Sequence, residues 1–243
     1  MTISVHQKGK QYLLLTPLGQ KHQIELNHFS PEYLSEHQLI SNVAEGRGKV
    51  YFFEANNLTC VLRHYFRGGL AAKLSRDNFA FSSVENSRCY QELTMLNLLT
   101  ENSLNVPKAV GARVVRSAFS YQADIITQAI PNCRELHELL RCEPIANDQW
   151  QNIGAQIRKM HDLQVCHDDL NVKNVLINNK QDVFLIDFDK CAINQNKGWK
   201  QANLDRFLRS INKQQKKYSD YYFTNENWQA LLAGYKGVNN KTT

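Results

Sequence analysis

Short apolar runs separated by polar turns occupy the first half of the chain, a pattern typical of β-strands. Residues 50–53 and 58–62 are rich in aromatic and β-branched side chains, and residues 56–57 between them are both asparagine. Asparagine favours the tight turn of a hairpin, so we predict two antiparallel strands here. A second pair of strands is predicted further along, at residues 109–115 and 121–128.

Helical spacing of apolar residues becomes frequent after this first hairpin. A helix is predicted at residues 86–99, where leucines follow Glu92 at helical intervals, and the sequence Asn-Val-Pro at residues 105–107 predicts its end. Residues 131–135 interrupt the strand pattern, so we interpret them as a candidate hinge. Two further helices are predicted, at residues 136–140 and 150–163.

Composition places the chain among folded globular proteins. Its 243 residues are 42% hydrophobic and 21% charged, enough for one domain with a sizeable core or for two intimate lobes. The excess of 29 Lys and Arg over 23 Asp and Glu favours a phosphate-bearing partner, whether nucleotide, nucleic acid or anionic lipid. The six cysteines form no CxxC pair, which argues against zinc-ribbon and thioredoxin-like sites. No apolar run approaches the ~18 residues of a membrane span, so we expect neither an exported nor a membrane-spanning protein.

The strongest chemical signal is a polar loop between two apolar strands. The loop begins at His167 and contains Asp169 and, five residues later, Asn174, while Asp187 follows at the tip of the next apolar run. This spacing allows the three polar side chains to converge. Phosphoryl transfer needs such convergence, since one Asp orients or deprotonates the attacking hydroxyl while an amide oxygen and a second carboxylate hold Mg²⁺ against the nucleotide phosphates.

The same spacing resembles the signature of the protein-kinase-like superfamily, H-x-D-x-x-x-x-N followed by D-F-G. Asp189 replaces the final glycine, and five residues match the pattern: His167, Asp169, Asn174, Asp187 and Phe188. The resemblance implies an α+β, bilobal protein-kinase-like fold with a small antiparallel β-rich N-lobe and a mainly helical C-lobe. It also implies Asp169 as the catalytic residue, Asn174 and Asp187 as metal ligands, and ATP and Mg²⁺ as cofactors.

On this pattern the chain divides into three parts. Residues 1–40 form an N-terminal extension of unknown role, because they carry no catalytic signal. Residues 41–130 correspond to the N-terminal kinase-like lobe and residues 131–243 to the C-terminal catalytic lobe. The two lobes are expected to form one intimate kinase-like domain.

The nucleotide-binding residues of the superfamily are matched less completely. Gly46 and Gly48 precede the first predicted strand pair as a phosphate-covering loop does, although the third glycine of the pattern is missing. Arg63 stands where the superfamily places a phosphate-pairing lysine, and its planar guanidinium is not equivalent to an ammonium. Lys73 is the alternative for that role. The resemblance implies that Glu92 is the acidic partner of this cation.

Too little chain follows Asp187 for the activation segment and substrate-binding lobe of a Ser/Thr or Tyr protein kinase, and a small-molecule or glycolipid kinase fits better. Seven short segments resemble the lipopolysaccharide kinase family: residues 46–48, 62–65, 67–69, 73–77, 167–171, 187–190 and 208–210. The resemblance implies a phosphotransferase with an alcohol group as acceptor. It would use ATP to phosphorylate the 4-hydroxyl of 3-deoxy-D-manno-octulosonic acid (Kdo) in the lipid A precursor Kdo-lipid IVA. It also implies a peripheral position on the anionic cytoplasmic face of the bacterial inner membrane, with no nucleic acid and no obligate protein partner.

A basic segment near the C-terminus predicts an amphipathic helix. Residues 197–217 contain seven Lys or Arg and a single acid, Asp205, which we consider as a brace for the catalytic loop. At about 100° per residue, one face is apolar and the other basic. The apolar face is expected to pack in the C-lobe, and the basic face to meet anionic lipid or solvent. The two sets are Leu204, Phe207, Leu208 and Ile211, and Arg206, Arg209, Lys213 and Lys216.

Two other functions remain open from the sequence. One is a kinase for another heptose, an aminoglycoside-like or a choline-like acceptor, which side-by-side acceptor tests would separate. The other is a silent kinase-like scaffold or a basic nucleic-acid binder. The three retained polar residues of the loop argue against the scaffold, and the lack of interleaved aromatic and basic residues argues against RNA binding.

Overall fold

The computed structural model describes residues 2–45, 48–67 and 76–237. The chain forms two compact units, one from residues 1–97 with 107–129 and the other from residues 98–106 with 130–243. An antiparallel sheet dominates the first unit, and helices dominate the second. The protein therefore has the α+β organisation that the sequence predicts.

In the described residues, eight antiparallel strands form the sheet of the first unit: β1 (Ser4–Lys8), β2 (Gln11–Leu15), β3 (Ile40–Glu45), β4 (Lys49–Ala55), β5 (Leu58–His64), β6 (Phe79–Ala80), β7 (Ala109–Arg116) and β8 (Ser120–Gln128). Their order is β1-β2-β7-β8-β5-β4-β3, and β6 pairs β8. The predicted hairpin is β4 and β5, and the second predicted pair is β7 and β8. Asn56 and Asn57, with φ of 46° and 63°, adopt the left-handed conformation that a tight hairpin turn requires.

Residues 1–40 are built into this sheet and its core. Strand β2 pairs with β7, which lies much later in the chain. Two short helices, α1 (Pro17–Lys21) and α2 (Pro31–Glu36), follow β2. Gly19 allows α1 to approach β7, because a Cβ at this position would overlap the carbonyl oxygen of Val110. The segment contributes to a core cluster that includes Ile24, Phe29, Leu34, Phe53 and Leu62.

Helix α3 (Arg88–Glu101) confirms the helix predicted at residues 86–99. In the first unit it buries Leu93 and Leu96. It also buries the acidic side chain of Glu92, which is only 3% exposed. A carboxylate at this depth requires a partner, because an unpaired buried charge is strongly destabilising.

The second unit contains β9 (Cys133–Glu135), α4 (Leu136–Cys142), α5 (Asn147–Asp162), β10 (Val165–Cys166), β11 (Val175–Asn178), β12 (Val183–Leu185), β13 (Ala192–Ile193), α6 (Trp199–Lys217) and α7 (Asn225–Lys236). Strands β12, β11 and β9 form one small sheet, and β10 pairs with β13. The candidate hinge at residues 131–135 therefore contains a strand, because β9 finds a backbone partner in β11.

Helices α5 and α7 pack with their backbones in contact. A Cβ at Gly154 would overlap the carbonyl oxygen of Leu231, and a Cβ at Gly234 would overlap that of Gln151. Glycine at both positions therefore sets the distance between these helices. None of the helices in the described ranges is long and apolar enough to cross a membrane.

Candidate active site

His167 is the buried anchor of the polar loop. Its Nε2 lies 3.0 Å from the carbonyl oxygen of Ile186, and its Nδ1 lies 3.2 Å from the backbone nitrogen of Asp169. Since Nδ1 accepts a hydrogen bond from the Asp169 N–H, Nε2 carries the proton and donates to Ile186. Burial lowers the pKa of His167, so the ring stays neutral. The ring ties the start of the loop to the strand end that precedes Asp187.

Two asparagines fix the backbone of Asp169 from the other side. The Nδ2 groups of Asn171 and Asn174 donate to its carbonyl oxygen at 2.8 and 2.9 Å. Asn171 also caps the short 3-10 turn Val172–Asn174. With its N–H bonded to His167 and its carbonyl bonded to both amides, Asp169 is held in one backbone conformation.

The pairing of β11 with β12 brings Asn174 next to Asp187. The N–H of Ile186 donates to the carbonyl oxygen of Asn174 at 3.0 Å. Asp187 has a φ of 63°, a left-handed conformation that Asp tolerates better than most residues and that is concentrated at functional sites. The structure thus brings the predicted residues Asp169, Asn174 and Asp187 together in one loop cluster.

Helix α6 holds the same loop along one of its faces. The buried Asn203 accepts a hydrogen bond from the N–H of His167 and donates to its carbonyl oxygen, both at 3.2 Å. Ser210 accepts from the N–H of Val172 at 3.0 Å and donates to the carbonyl oxygen of Phe207 at 2.7 Å. Residues seven positions apart lie on one helix face, so α6 clamps the loop at two points two turns apart.

The brace on the loop is Asn203 and not Asp205, the residue that the sequence suggested. Asp205 instead accepts a hydrogen bond from Gln201 one turn earlier, because it lies on a more exposed side of α6. His161 of α5 supports Asn203, with 3.4 Å between Nε2 and Oδ1, while its Nδ1 lies 2.9 Å from the hydroxyl of Tyr235. Burial lowers the pKa of His161 to about 4, which keeps this second histidine neutral as well.

The carboxylate of Asp169 opens onto a basic pocket of about 320 Å³. Arg206 donates from Nη2 to Oδ1 of Asp169 at 2.8 Å, and the two side chains are 46% and 40% exposed. The loop and α6 form the walls, which include Lys173, Arg209 and Lys213. The proposed catalytic carboxylate is therefore accessible to a solute and surrounded by positive charge.

Arg63 and Glu92 form an ion pair in the first unit. Nη2 of Arg63 lies 2.5 Å from Oε1 of Glu92, and the hydroxyl of Tyr65 donates to Oε2 of the same carboxylate at 2.5 Å. Burial, together with the nearby charge of Glu92, raises the pKa of Tyr65 well above its ordinary value, so the hydroxyl keeps its proton. The pair predicted from the sequence is present, and it holds the guanidinium, 28% exposed, in a fixed position.

The glycine loop is described only in part. Gly46 and the alternative cation Lys73 lie outside the described residues. Gly48 precedes β4, and a Cβ at this position would overlap the ring of Phe66. The backbone at position 48 therefore lies directly against this aromatic ring.

Sequence reasoning missed three residues that shape the site. Tyr65 lies two residues after Arg63, and side chains two apart point to the same side of a strand, which was the available signal. Asn203 is a polar residue on the buried side of α6, and a buried asparagine side chain is expected to form hydrogen bonds with its neighbours. Arg206 was assigned to the basic face, but no sequence feature indicated that it would reach Asp169.

Asn174 and Asp187 form a donor pair that suits Mg²⁺, which prefers oxygen ligands. Because Nδ2 of Asn174 is bonded to the carbonyl of Asp169, its Oδ1 is the remaining ligand atom. Within the described ranges, no three His, Cys, Asp or Glu side chains cluster as metal ligands. Mg²⁺ commonly takes only one or two carboxylates and completes its coordination with water and phosphate, so the pair fits this ion.

Comparison with known proteins identifies close relatives over most of the chain. A family model described as the lipopolysaccharide kinase (Kdo/WaaP) family matches residues 33–235. A 3-deoxy-D-manno-octulosonic acid kinase of Mannheimia succiniciproducens is 43% identical over 217 residues, which cover 86% of this chain and 90% of that protein. Proteins of the same name match from Photobacterium profundum, at 39% identity with 86% and 88% of the two chains covered, and from Haemophilus influenzae, at 40% with 85% and 89% covered.

Proposed function

The chain belongs to the lipopolysaccharide kinase (Kdo/WaaP) family, and we propose that it uses ATP to phosphorylate the 4-hydroxyl of Kdo in Kdo-lipid IVA during assembly of the lipopolysaccharide inner core. Family membership makes it a phosphotransferase, and its relatives are named as kinases of Kdo. The observation that carries the proposal is the combination of an accessible carboxylate and a fixed backbone at Asp169. Its carboxylate opens onto a pocket while its backbone is held by hydrogen bonds on both sides.

In this proposal Asp169 orients the acceptor hydroxyl and takes its proton as the oxygen attacks the γ-phosphorus. A new O–P bond forms to the acceptor, the bond to the β–γ bridging oxygen breaks, and ADP leaves. His167 positions Asp169 and does not exchange the proton, because its ring is buried, neutral and committed to Ile186. Asn174 and Asp187 hold Mg²⁺, which offsets the charge of the nucleotide phosphates when it is bound.

Residues of the first unit serve the nucleotide in this proposal. Arg63 pairs with its phosphates, and Glu92 and Tyr65 hold the guanidinium in place. Gly46 and Gly48 belong to the phosphate-covering loop. Residues 41–130 then act as the nucleotide-binding lobe, and residues 131–243 as the catalytic lobe.

We further propose that the protein works at the cytoplasmic face of the inner membrane as a peripheral protein. A lipid-linked acceptor presents its sugar at a membrane surface. The exposed Lys and Arg side chains of α6 support this location, since each basic residue near an anionic surface contributes about 1 kcal/mol.

The experiment that tests the function is transfer of labelled γ-phosphate from Mg-ATP to purified Kdo-lipid IVA, with mass spectrometry locating the new phosphate. The expected product carries one phosphate on the 4-oxygen of Kdo. An aminoglycoside, choline and a second heptose serve as parallel acceptors. Preferred transfer to one of these would refute Kdo as the acceptor.

Asp169→Asn tests the assigned chemistry, and Asp168→Asn is its matched control. Asp168 is the exposed neighbouring carboxylate, so its loss changes the charge of the loop by the same amount. We expect Asp169→Asn to lower kcat by about 10²-fold or more and Asp168→Asn to leave it within about twofold. Equal turnover in the two variants would remove Asp169 from the mechanism.

A further inference from the structure

We infer that the basic pocket beside Asp169 binds the carboxylate of the acceptor sugar, and that Arg206 moves from Asp169 to this carboxylate when the acceptor enters. The inference rests on the proposed function and adds the acceptor's binding subsite. The residues that carry it are Asp169, Lys173, Arg206, Arg209, Ser210 and Lys213, which line one pocket.

The pocket has an excess of positive charge. Of the described residues that line it, four are cationic and Asp169 is the single acid. Arg206 pairs with Asp169, whereas Lys173, Arg209 and Lys213 form no ion pair within the part of the chain that the structure describes. Clustered cations without acidic partners attract anions and repel one another, so this wall is suited to an anionic ligand.

The arrangement of the cations is set by a rigid scaffold. Arg206, Arg209 and Lys213 follow one another at intervals of three and four residues, which places them on adjoining positions of α6. Ser210 lies among them and is hydrogen-bonded to the N–H of Val172. This bond fixes α6 against the catalytic loop, so the cations keep their positions relative to Asp169.

A sugar carboxylate matches the positive charge of the pocket and lies close to the reacting hydroxyl on the same sugar. In Kdo the carboxylate carbon is three bonds from the carbon that carries the 4-hydroxyl. One small pocket therefore accommodates the hydroxyl at Asp169 and the carboxylate at the neighbouring guanidinium groups. Arginine binds carboxylates with two parallel hydrogen bonds, which fixes the orientation of the sugar as well as its position.

The pair between Arg206 and Asp169 gives the subsite a second role. Without acceptor, Arg206 occupies Oδ1 of Asp169, one of the two carboxylate oxygens that can accept a hydrogen bond from the acceptor hydroxyl. Both side chains are substantially exposed, and ion pairs in this setting contribute little to stability. A second carboxylate can therefore draw the guanidinium away and leave Oδ1 to the hydroxyl. A neutral sugar could not do this, so the exchange selects acidic sugars.

The test combines pocket variants with modified acceptors. Initial rates are measured for wild type, Arg209→Gln and Lys213→Gln with Kdo-lipid IVA, with its Kdo carboxamide, and with the acceptor lacking the lipid A phosphates. Lys216→Gln is the control, because Lys216 lies on α6 outside the pocket wall. Binding of each variant to anionic vesicles is measured in parallel.

We expect each pocket variant to raise the KM for Kdo-lipid IVA about tenfold, with the KM for ATP unchanged. The carboxamide lacks the negative charge, so wild type and the pocket variants should have the same high KM for it. With the acceptor that lacks the lipid A phosphates, the pocket variants should still show the tenfold rise in KM. All variants should bind vesicles as the Lys216→Gln control does.

Three results would overturn the inference while wild-type activity stands. The first is an unchanged KM for Kdo-lipid IVA in both pocket variants. The second is a tenfold rise in KM in the pocket variants that is equally large on the carboxamide. The third is a rise in KM that disappears when the acceptor lacks the lipid A phosphates. The last would assign the pocket to phosphate. Failure of the wild type to phosphorylate Kdo-lipid IVA would instead refute the proposed function, and the subsite with it.

Discussion

Asn203→Ala is expected to loosen the polar loop that contains Asp169. Asn203 is 6% exposed, and its side chain makes four hydrogen bonds: two with the backbone of His167, one with the ring of His161 and one with Sγ of Cys166. Alanine removes all four and leaves the N–H and carbonyl of His167 buried without these partners. Asp169 lies two residues after His167, so a loosened His167 also loosens Asp169.

The size of the effect follows from these groups. Each buried polar group left without a partner costs about 1–3 kcal/mol. Alanine has the higher helix propensity, which offsets about 0.5 kcal/mol. We therefore expect the free energy of unfolding to fall by about 2–4 kcal/mol. Because Asp169 would no longer be held to within about 1 Å, kcat should fall by roughly 10²-fold.

Urea unfolding followed by circular dichroism measures the stability, and phosphate transfer to Kdo-lipid IVA measures kcat. Asn212→Ala is the matched control, since Asn212 lies on the same helix with an exposed side chain. The KM for ATP should stay unchanged, because the nucleotide is assigned to Arg63. If Asn203→Ala equals Asn212→Ala in both stability and kcat, then Asn203 does not brace the loop.

Three further predictions concern the ion pair, a buried histidine and a helix contact. Glu92→Gln should lower the free energy of unfolding by about 1–2 kcal/mol and raise the KM for ATP, because it removes the negative charge opposite Arg63. An unchanged KM for ATP in the kinase assay would show that Glu92 does not position Arg63 for the nucleotide. His161 has a folded pKa of about 4, so the unfolded chain binds a proton below about pH 6.5 that the folded chain does not take up until about pH 4. Stability should therefore fall by about 3 kcal/mol as the pH drops through this window, and His161→Gln should flatten the curve of Tm against pH; an equally steep curve would contradict the assignment. Gly154→Ala should cost about 2 kcal/mol or more in a thermal melt, because its Cβ meets the backbone of Leu231, and a native Tm would show that the helices can separate without cost.

Local signals predicted much of the fold and the centre of the site. The β4–β5 hairpin was predictable because Asn56 and Asn57 tolerate the left-handed turn that joins the strands. Asp169, Asn174 and Asp187 were predictable as a cluster because a short loop and two adjacent strands determine their separation. In each case the information lies within about twenty residues of chain.

Contacts between distant segments were not predictable in this way. The role of residues 1–40 could not be predicted because β2 pairs with β7, which lies about 100 residues later in the chain. Neither strand has a sequence feature that identifies the other as its partner. The sequence suggested Asp205 as the brace because it is the single acid in a basic segment. The structure instead uses Asn203, because Asn203 lies on the buried side of α6 and Asp205 does not. The partnership of Arg206 and Asp169 depends on the angle at which α6 meets the loop, which only the folded packing determines.

The contacts that α6 makes also limit how this helix can vary in length. Asn203, Arg206 and Ser210 reach the loop from one face within two turns. Inserting or deleting one residue between positions 203 and 210 would rotate everything beyond it by about 100° and move it by about 1.5 Å. Ser210 and the basic side chains after it would then face another direction while Asn203 stayed in place. The number of residues between Asn203 and Ser210 is therefore a fixed property of the enzyme.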